Sequence, residues 1–276
     1  MSNFKHSLIR IAVWNLAGYN QTNNSEGINP NSKKAKSQAE GLALLDAELI
    51  TLVEVSPLSH IERLIQLLDQ NYGLKYDHTI LPQPNGNIHI GFLHKEGIEV
   101  NNVQLIAGSE GEYGNGRQAI RVDVSIGKFK AILIGVHLKS GRERPEQQMR
   151  DSQCRFIGEY ITQLRETPGL KTRTILLMGD FNMIPGQDVS NFHHLGGDDI
   201  MDFVSCWDLQ DRFSHILSKG RANLLDGFAV SRTYSTDYIR GSLRLFPMHW
   251  TMNLGREAFK KQVSDHLPFV ASFKIY

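Results

Sequence analysis

The apolar runs of this chain are bounded by acids, amides and histidines, and this pattern constrains its fold more than any other feature. In chain order the bounding groups are Trp14-Asn15, Glu54, His137, Gly179-Asp180-Phe181-Asn182, Asp226 and Ser264-Asp265-His266. Desolvating a polar group at the end of a buried strand without a partner costs roughly 2–7 kcal/mol. Such groups are therefore expected to meet on one rim of a sheet-rich fold. There they would line an oxygen-rich pocket with two imidazoles beside it, which suits a divalent cation and a phosphate.

The 276 residues fit a single domain, expected to span 1–276, and 41% apolar content is enough for a large core. A formal net charge of +1 gives no overall pull towards polyanions, so any such binding must come from a local patch. Cys154 and Cys206 make neither a disulfide framework nor a metal-type pair. The polar start Met1–His6 lacks the apolar core of a secretory signal, and no run reaches the 18 or so apolar residues of a membrane span. The expectation is a cytoplasmic monomer with no stable membrane association.

Periodicity predicts strands over Ile9–Leu16, Glu48–Val55, Ile88–Leu93, Ile98–Ile106, Gln118–Ile126, Phe129–Leu138, Thr174–Met178, Leu225–Val230 and Leu267–Phe273. Helices are predicted over Lys33–Asp46, from Ser56-Pro57 to about Gln70 with Ser56 as the cap, and over Glu146–Arg165. Tyr19–Asn31 reads as a loop. Strands outnumber helices and several are adjacent, so strict alternation of strand and helix fails. Two mixed sheets packed face to face with helices outside, an α/β or α+β sandwich, match better.

Strand alternation turns Asp180 and Asn182 the same way, with Phe181 towards the core. A carboxylate and an amide together suit a hard cation, its water or a phosphate oxygen. Glu54, inside Leu49–Val55, is expensive unless paired or bound to metal. His137 closes an almost wholly apolar strand. Asp226 is placed to orient a histidine through its ring N–H, or else caps a loop. Asp265 before His266 pairs a ligand with a group that titrates near neutrality. Arg117 is a candidate phosphate clamp. Each motif also has a plainer reading, as a turn, a rim residue or a solvated arginine. Their order and placement together carry the argument.

With Trp14-Asn15, Glu54, His137-Leu138, Gly179–Asn182 and Ser264–His266 in this order, the sequence resembles the endonuclease/exonuclease/phosphatase superfamily, which includes the DNase I-like nucleases. The resemblance covers Ile11 to Phe273 and implies a four-layered α/β sandwich with its site at the top of two sheets. It also implies Mg²⁺ or Mn²⁺ as cofactor, with Glu54 as the main ligand and Asn15 and Asp265 completing the set. Asp180 and Asn182 would position water and phosphate, His266 backed by Asp226 would be the catalytic imidazole, and His137 would bind the scissile phosphate. The family usually has glutamine before the metal glutamate, and here that position is Val53.

The reaction expected is hydrolysis of a phosphodiester in DNA, with a lipid headgroup or small phosphorylated metabolite as the alternative substrate. An inactive binding module is the third reading, and the intact acids and histidines argue against it. For nucleic acid, Lys139, Arg142, Arg144, Arg150 and Arg155 form a basic segment beside His137. Arg232, Tyr234, Tyr238, Arg240, Arg244, His249 and Trp250 mix cations with aromatics. Glu143, Glu146 and Asp151 interrupt the first segment, which also reads as an ordinary helix start. Tyr238, Arg240 and Trp250 are the substrate-binding candidates beside Arg117.

Overall fold

The computed structural model describes residues 8–18, 32–112, 114, 116–196, 200–203, 213–216 and 222–275. The predicted loop 19–31 lies outside them. The first sheet is built from β1 (Leu8–Asn15), β2 (Leu49–Val55), β3 (Tyr76–Ile80) and β4 (His89–Lys95), and the second begins with β5 (Glu99–Leu105), β6 (Ile120–Ile126), β7 (Phe129–His137) and β8 (Thr174–Asp180). The chain then adds β9 (Met201–Phe203), the small hairpin β10 (His215–Ile216) and β11 (Ala222–Asn223), β12 (Asp226–Ser231), β13 (Arg244–Leu245) and β14 (Phe269–Lys274). The helices are α1 (Lys33–Leu45), α2 (Ser59–Tyr72), α3 (Arg144–Glu166), α4 (Val189–His194), α5 (Met248–Thr251) and α6 (Arg256–Gln262).

Two six-stranded sheets result, ordered β13-β14-β1-β2-β4-β3 and β5-β6-β7-β8-β12-β9. Both are mixed: β1 runs parallel to β2 and β7 parallel to β8, while the remaining pairs are antiparallel. This is the two-sheet sandwich expected, with helices around it.

The central strands are apolar on both faces because both faces are covered. On β7, Ala131 and Leu133 join the core between the sheets, while Ile132, Ile134 and Val136 pack with Cys154, Ile157 and Ile161 of α3. On β8, Leu176 and Met178 face inwards and Ile175 and Leu177 face the helix side. Across the first sheet, α1 approaches so closely that a Cβ on Gly41 would sit 2.7 Å from the Trp14 ring.

One local expectation is corrected, and one strand is not announced by the sequence. The second helix starts at Ser59, not at Ser56-Pro57, and Leu58 at its N-cap makes no side-chain capping bond. The Pro57 carbonyl instead closes a preceding turn by accepting from His60 N–H at 2.9 Å, so the helix axis begins further on. The edge strand β3 has Asp77, His78 and Thr79 at its centre and no apolar run to announce it.

Topology puts the polar strand ends on one rim. The parallel pairs β1/β2 and β7/β8 bring Asn15, Glu54, His137 and Asp180 to the same end, and antiparallel β12 starts there with Asp226. The rungs align His137 with Asp180 and Asp180 with Asp226. Because β14 runs antiparallel to β1, pairing Val13 with Phe269, the preceding Asp265 and His266 arrive at the same rim.

Candidate active site

The backbone departs from regular strand geometry where the side chains must turn into the rim. Glu54 has φ +58°, inside an irregularity of the β2–β4 ladder between Leu52 and Val55. A Cβ at Gly18 would stand 1.9 Å from the Glu54 carbonyl oxygen, so only glycine permits this approach. The same logic applies at Gly179, with φ +152° and the Val136 carbonyl oxygen 1.9 Å from a would-be Cβ. Phe181 turns into the core as predicted, with its ring 5.9 Å from that of Phe203.

Asn15 is fully buried and holds two carboxylates at once. Its Nδ2 donates to Glu54 Oε1 at 3.3 Å and to Asp180 Oδ2 at 3.0 Å, while its Oδ1 accepts from Ala17 N–H at 2.9 Å. The amide thus shows its donor side to the two acids and its oxygen to the Ala17 N–H, and so ties Glu54 to Asp180. Asp180 Oδ1 accepts the N–H of Asn182 at 2.9 Å, and Asn182 Nδ2 donates to the Leu138 carbonyl at 3.1 Å. His137 Nε2 lies 3.6 Å from Glu54 Oε1 and 3.8 Å from Asp180 Oδ2. Arg117 donates to the carbonyls of His137 and Leu138, both at 3.1 Å, next to Glu54 and Asp180.

Behind this group stands an acid–imidazole pair. His266 Nδ1 is 2.7 Å from Asp226 Oδ2, which also accepts from the Ser214 hydroxyl at 2.6 Å. That fixes the ring so that Nε2 points towards Asp180 Oδ2 at 4.0 Å and Asp265 Oδ1 at 3.9 Å. Ser264 donates to the Asn15 carbonyl at 2.6 Å and accepts from His266 N–H, locking the loop to β1.

Electrostatics separates the roles. Burial lowers the affinity of His266 for a proton, but Asp226, Asp180 and Asp265 outweigh it and raise its pKa to about 10. Burial, with Asp226 and Glu54 beside it, pushes the Asp180 carboxyl up to about 7 against the opposing pull of His266. Burial also drives His137 well below the usual imidazole range, helped by Arg117 and His266. Asp265 is held below the usual carboxylate range: burial opposes this, and the neighbouring His215, His266 and Lys34 prevail.

The metal set expected from sequence divides in two. Glu54, His137 and Asp180 offer ligand atoms within 4.8 Å of one another, whereas Asp265 groups with His215 and His266. Donor separations of 3.6–3.8 Å in the first group exceed a hydrogen bond and fit the edges of a cation's coordination shell. The carboxylates of Glu54 and Asp180 supply the oxygen donors that Mg²⁺ or Mn²⁺ prefers, so either ion fits the residues present.

Tyr238 and Arg240 are not brought to this rim. Tyr238 pairs with Phe273 at the far end of β14, its ring 5.4 Å from that of Phe273, and the Ile239 N–H bonds the Ser272 carbonyl. Strand β12 carries the chain away from Asp226 before this segment begins. Exposed Trp250 has its ring 5.1 Å from that of His249 and tilted by 41°, and His249 in turn meets Phe213, the neighbour of Ser214, edge-on. In the basic segment Arg150 is fully buried, donating to the Lys139 and Gly141 carbonyls and pairing with Asp188. Arg142 also pairs with Asp188, and Arg155 with Asp151.

Sequence reasoning missed Ser214 and Lys34. Ser214 sits in a short hairpin with no apolar run to mark it. Lys34 donates to the Ala17 carbonyl at 2.8 Å and lies beside Glu54 and Asp265, yet in the sequence it is one lysine of an ordinary helix start.

No family model matches this sequence, and no curated protein matches it. Solved structures do. An endonuclease/exonuclease/phosphatase protein from Bacteroides vulgatus superposes with a TM-score of 0.68 at 13% identity, covering 98% of this chain and 100% of that one. The chain has the endonuclease/exonuclease/phosphatase fold. D. rerio TDP2, solved in complex with a single-strand DNA product, matches at 16% identity and a TM-score of 0.68, covering 98% of this chain and 100% of the other. The human Nocturnin catalytic domain, solved with a bound sulfate anion, matches at 15% identity and a TM-score of 0.66, covering 98% and 95%. Among the described residues of this sandwich, no helix is long and apolar enough to cross a membrane.

Proposed function

We propose that this protein is a divalent-metal-dependent phosphoesterase that hydrolyses phosphodiester bonds, with nucleic acid as its substrate. The observation that carries the reading is the meeting of two acids and His137 with the His266–Asp226 pair on one rim. Glu54 would hold Mg²⁺ or Mn²⁺, with Asn15 fixing its carboxylate. When bound, the ion supplies charge neutralisation at the phosphate and the leaving oxygen.

The chain's own groups divide the remaining work. Asp180, poised near neutrality, accepts the proton of the attacking water. Asn182 holds the backbone turn that aims Asp180. His266, kept protonated by Asp226, faces the phosphate as a cation and gives its Nε2 proton to the leaving oxygen. Neutral His137 and Arg117 donate to the non-bridging oxygens. Fixed donors aimed at developing charge are usually the largest catalytic contribution.

The DNA product bound by the D. rerio TDP2 structure supports a nucleic-acid substrate. A specific observation favours a second reading, a small phosphorylated metabolite or lipid headgroup: Arg142, Arg150 and Arg155 are all paired with acids. Incubating supercoiled plasmid and single-stranded oligonucleotides with Mg²⁺ or Mn²⁺ tests the choice, with EDTA, His266→Ala and Asp180→Ala as controls. Cleavage abolished by EDTA and reduced by several orders of magnitude in both variants is expected. Absence of cleavage by folded protein, with turnover of small phosphodiesters, would move the substrate to the second class.

A further inference from the structure

Gln153 of α3 lies outside the machinery described so far, and it is only 1% exposed. A buried amide needs partners for its oxygen and for both N–H groups. Its Oε1 accepts the Lys139 N–H at 2.8 Å, and its Nε2 donates to the carbonyls of Arg117 at 3.2 Å and Ser109 at 3.3 Å. A Cβ on Gly116 would stand 2.9 Å from that Nε2 and 2.2 Å from the Glu110 carbonyl oxygen. The loop before Arg117 therefore closes on the amide only with glycine there.

These bonds complete a ring. The β6–β7 ladder has its last rung at Ile120–Gly135, and Arg117 and Leu138 lie beyond it. There the Arg117 guanidinium donates across to the His137 and Leu138 carbonyls, and Gln153 links the next N–H, that of Lys139, back to the Arg117 carbonyl. Both the backbone and the guanidinium of Arg117 are thus fixed to the strand end that carries His137. A second buried glutamine acts from the other sheet. Gln83, in the connection from β3 to β4, accepts the Gln118 N–H at 2.7 Å and donates to the Gln118 carbonyl at 2.8 Å. Its own N–H donates to His89 Nδ1 at 3.0 Å. The carbonyls take the Nε and Nη2 side of the guanidinium, which leaves the Nη1 side for a phosphate oxygen.

We propose that Gln153 and Gln83 are positioning residues that set the Arg117 guanidinium before substrate arrives, with Gln153 closing the ring. What Arg117 grips rests on the phosphoesterase reading above. What holds Arg117 rests on the hydrogen bonds alone. A side chain ordered in advance loses less entropy when it binds an anion, so its contact with the phosphate is made at lower cost.

Gln153→Leu keeps most of the volume and removes all three bonds. In an NMR spectrum of arginine side chains, the Arg117 Nε–H is identified by its absence in Arg117→Ala. It should resist solvent exchange in the wild type and lose that protection in Gln153→Leu. With Mg²⁺ present, the affinity for inorganic phosphate should fall. On a phosphodiester, kcat/KM should drop on the order of 100-fold, as when a reacting group is misplaced by about 1 Å. Arg117→Ala should lose at least as much, and adding Gln153→Leu to it should cost nothing further. A residue that only supported the fold would lower the melting temperature and add its own loss to that of Arg117→Ala. Gln83→Leu should show the same two signs, and it decides the matter if Gln153→Leu does not fold. Unchanged Nε–H protection in the folded variants, or losses that add in the double variants, would overturn the proposal. If the wild type neither hydrolyses a phosphodiester nor binds phosphate, the activity reading fails. The Nε–H protection then still decides whether the glutamines hold Arg117.

Discussion

The indole Nε1 of Trp14 donates to the backbone carbonyl of His266 at 2.9 Å, joining residues 252 positions apart. With the Ser264 bond to the Asn15 carbonyl, it ties the final loop to the first strand beside both acids. Trp14→Phe keeps most of the buried area and removes the donor. We expect a loss of about 1 kcal/mol in unfolding free energy. Turnover should fall roughly tenfold while KM changes less, because the imidazole rather than the substrate is displaced. Urea melts and steady-state kinetics on one preparation check both.

Asp226→Asn removes the charge that keeps His266 protonated. The His266 pKa should fall from about 10 towards the imidazole range, which NMR titration of the ring protons reads directly. Turnover should drop about 10³–10⁴-fold, as when an orienting carboxylate is lost from other acid–imidazole pairs. Ser214→Ala, which removes one donor to Asp226, should have a much smaller effect. Equal losses in the two variants would refute the ordering.

Gly18→Ala places a methyl group where the Glu54 carbonyl oxygen already stands. Glu54 must shift, and Mg²⁺ affinity should weaken about 10–100-fold, the cost typical of disturbing a ligand's support. Calorimetric titration of Mg²⁺ measures this. In the wild type, Mg²⁺ at about 100 times its Kd should stabilise the fold by about 2.7 kcal/mol, and EDTA should remove that gain.

Stability should depend on pH through His60, which is fully buried with its Nε2 2.8 Å from Gln38 Oε1. Burial, aided by Lys34, lowers its pKa from 6.5 to about 4. The unfolded chain binds a proton below pH 6.5 that the folded protein refuses until about pH 4. Its contribution is therefore full above pH 6.5 and shrinks as pH falls through that window, by on the order of 3 kcal/mol. His60→Gln should flatten the stability–pH curve between pH 6.5 and 4, as followed by urea melts.

Much of this molecule is legible in one dimension. The apolar runs at 9–16, 48–55, 129–138 and 174–178 announce buried strands because both faces of each are covered. The acids and histidines at their ends are conspicuous because burial makes unpartnered polar groups costly. That is enough to anticipate the two-sheet sandwich and its polar rim. Strand pairing is not local, and everything that depends on it became visible only in three dimensions. The rungs joining His137, Asp180 and Asp226, the hairpin that brings Ser214 under Asp226 and stacks His215 on His266, and the removal of Tyr238 and Arg240 to the far end are all of this kind. The bonds by which Asn15 holds both carboxylates, and the neutralisation of Arg150 by Asp188, have the same origin. Sequence fixes which groups cannot be left alone in a core, whereas the partner each one finds is set by packing between segments up to 252 residues apart.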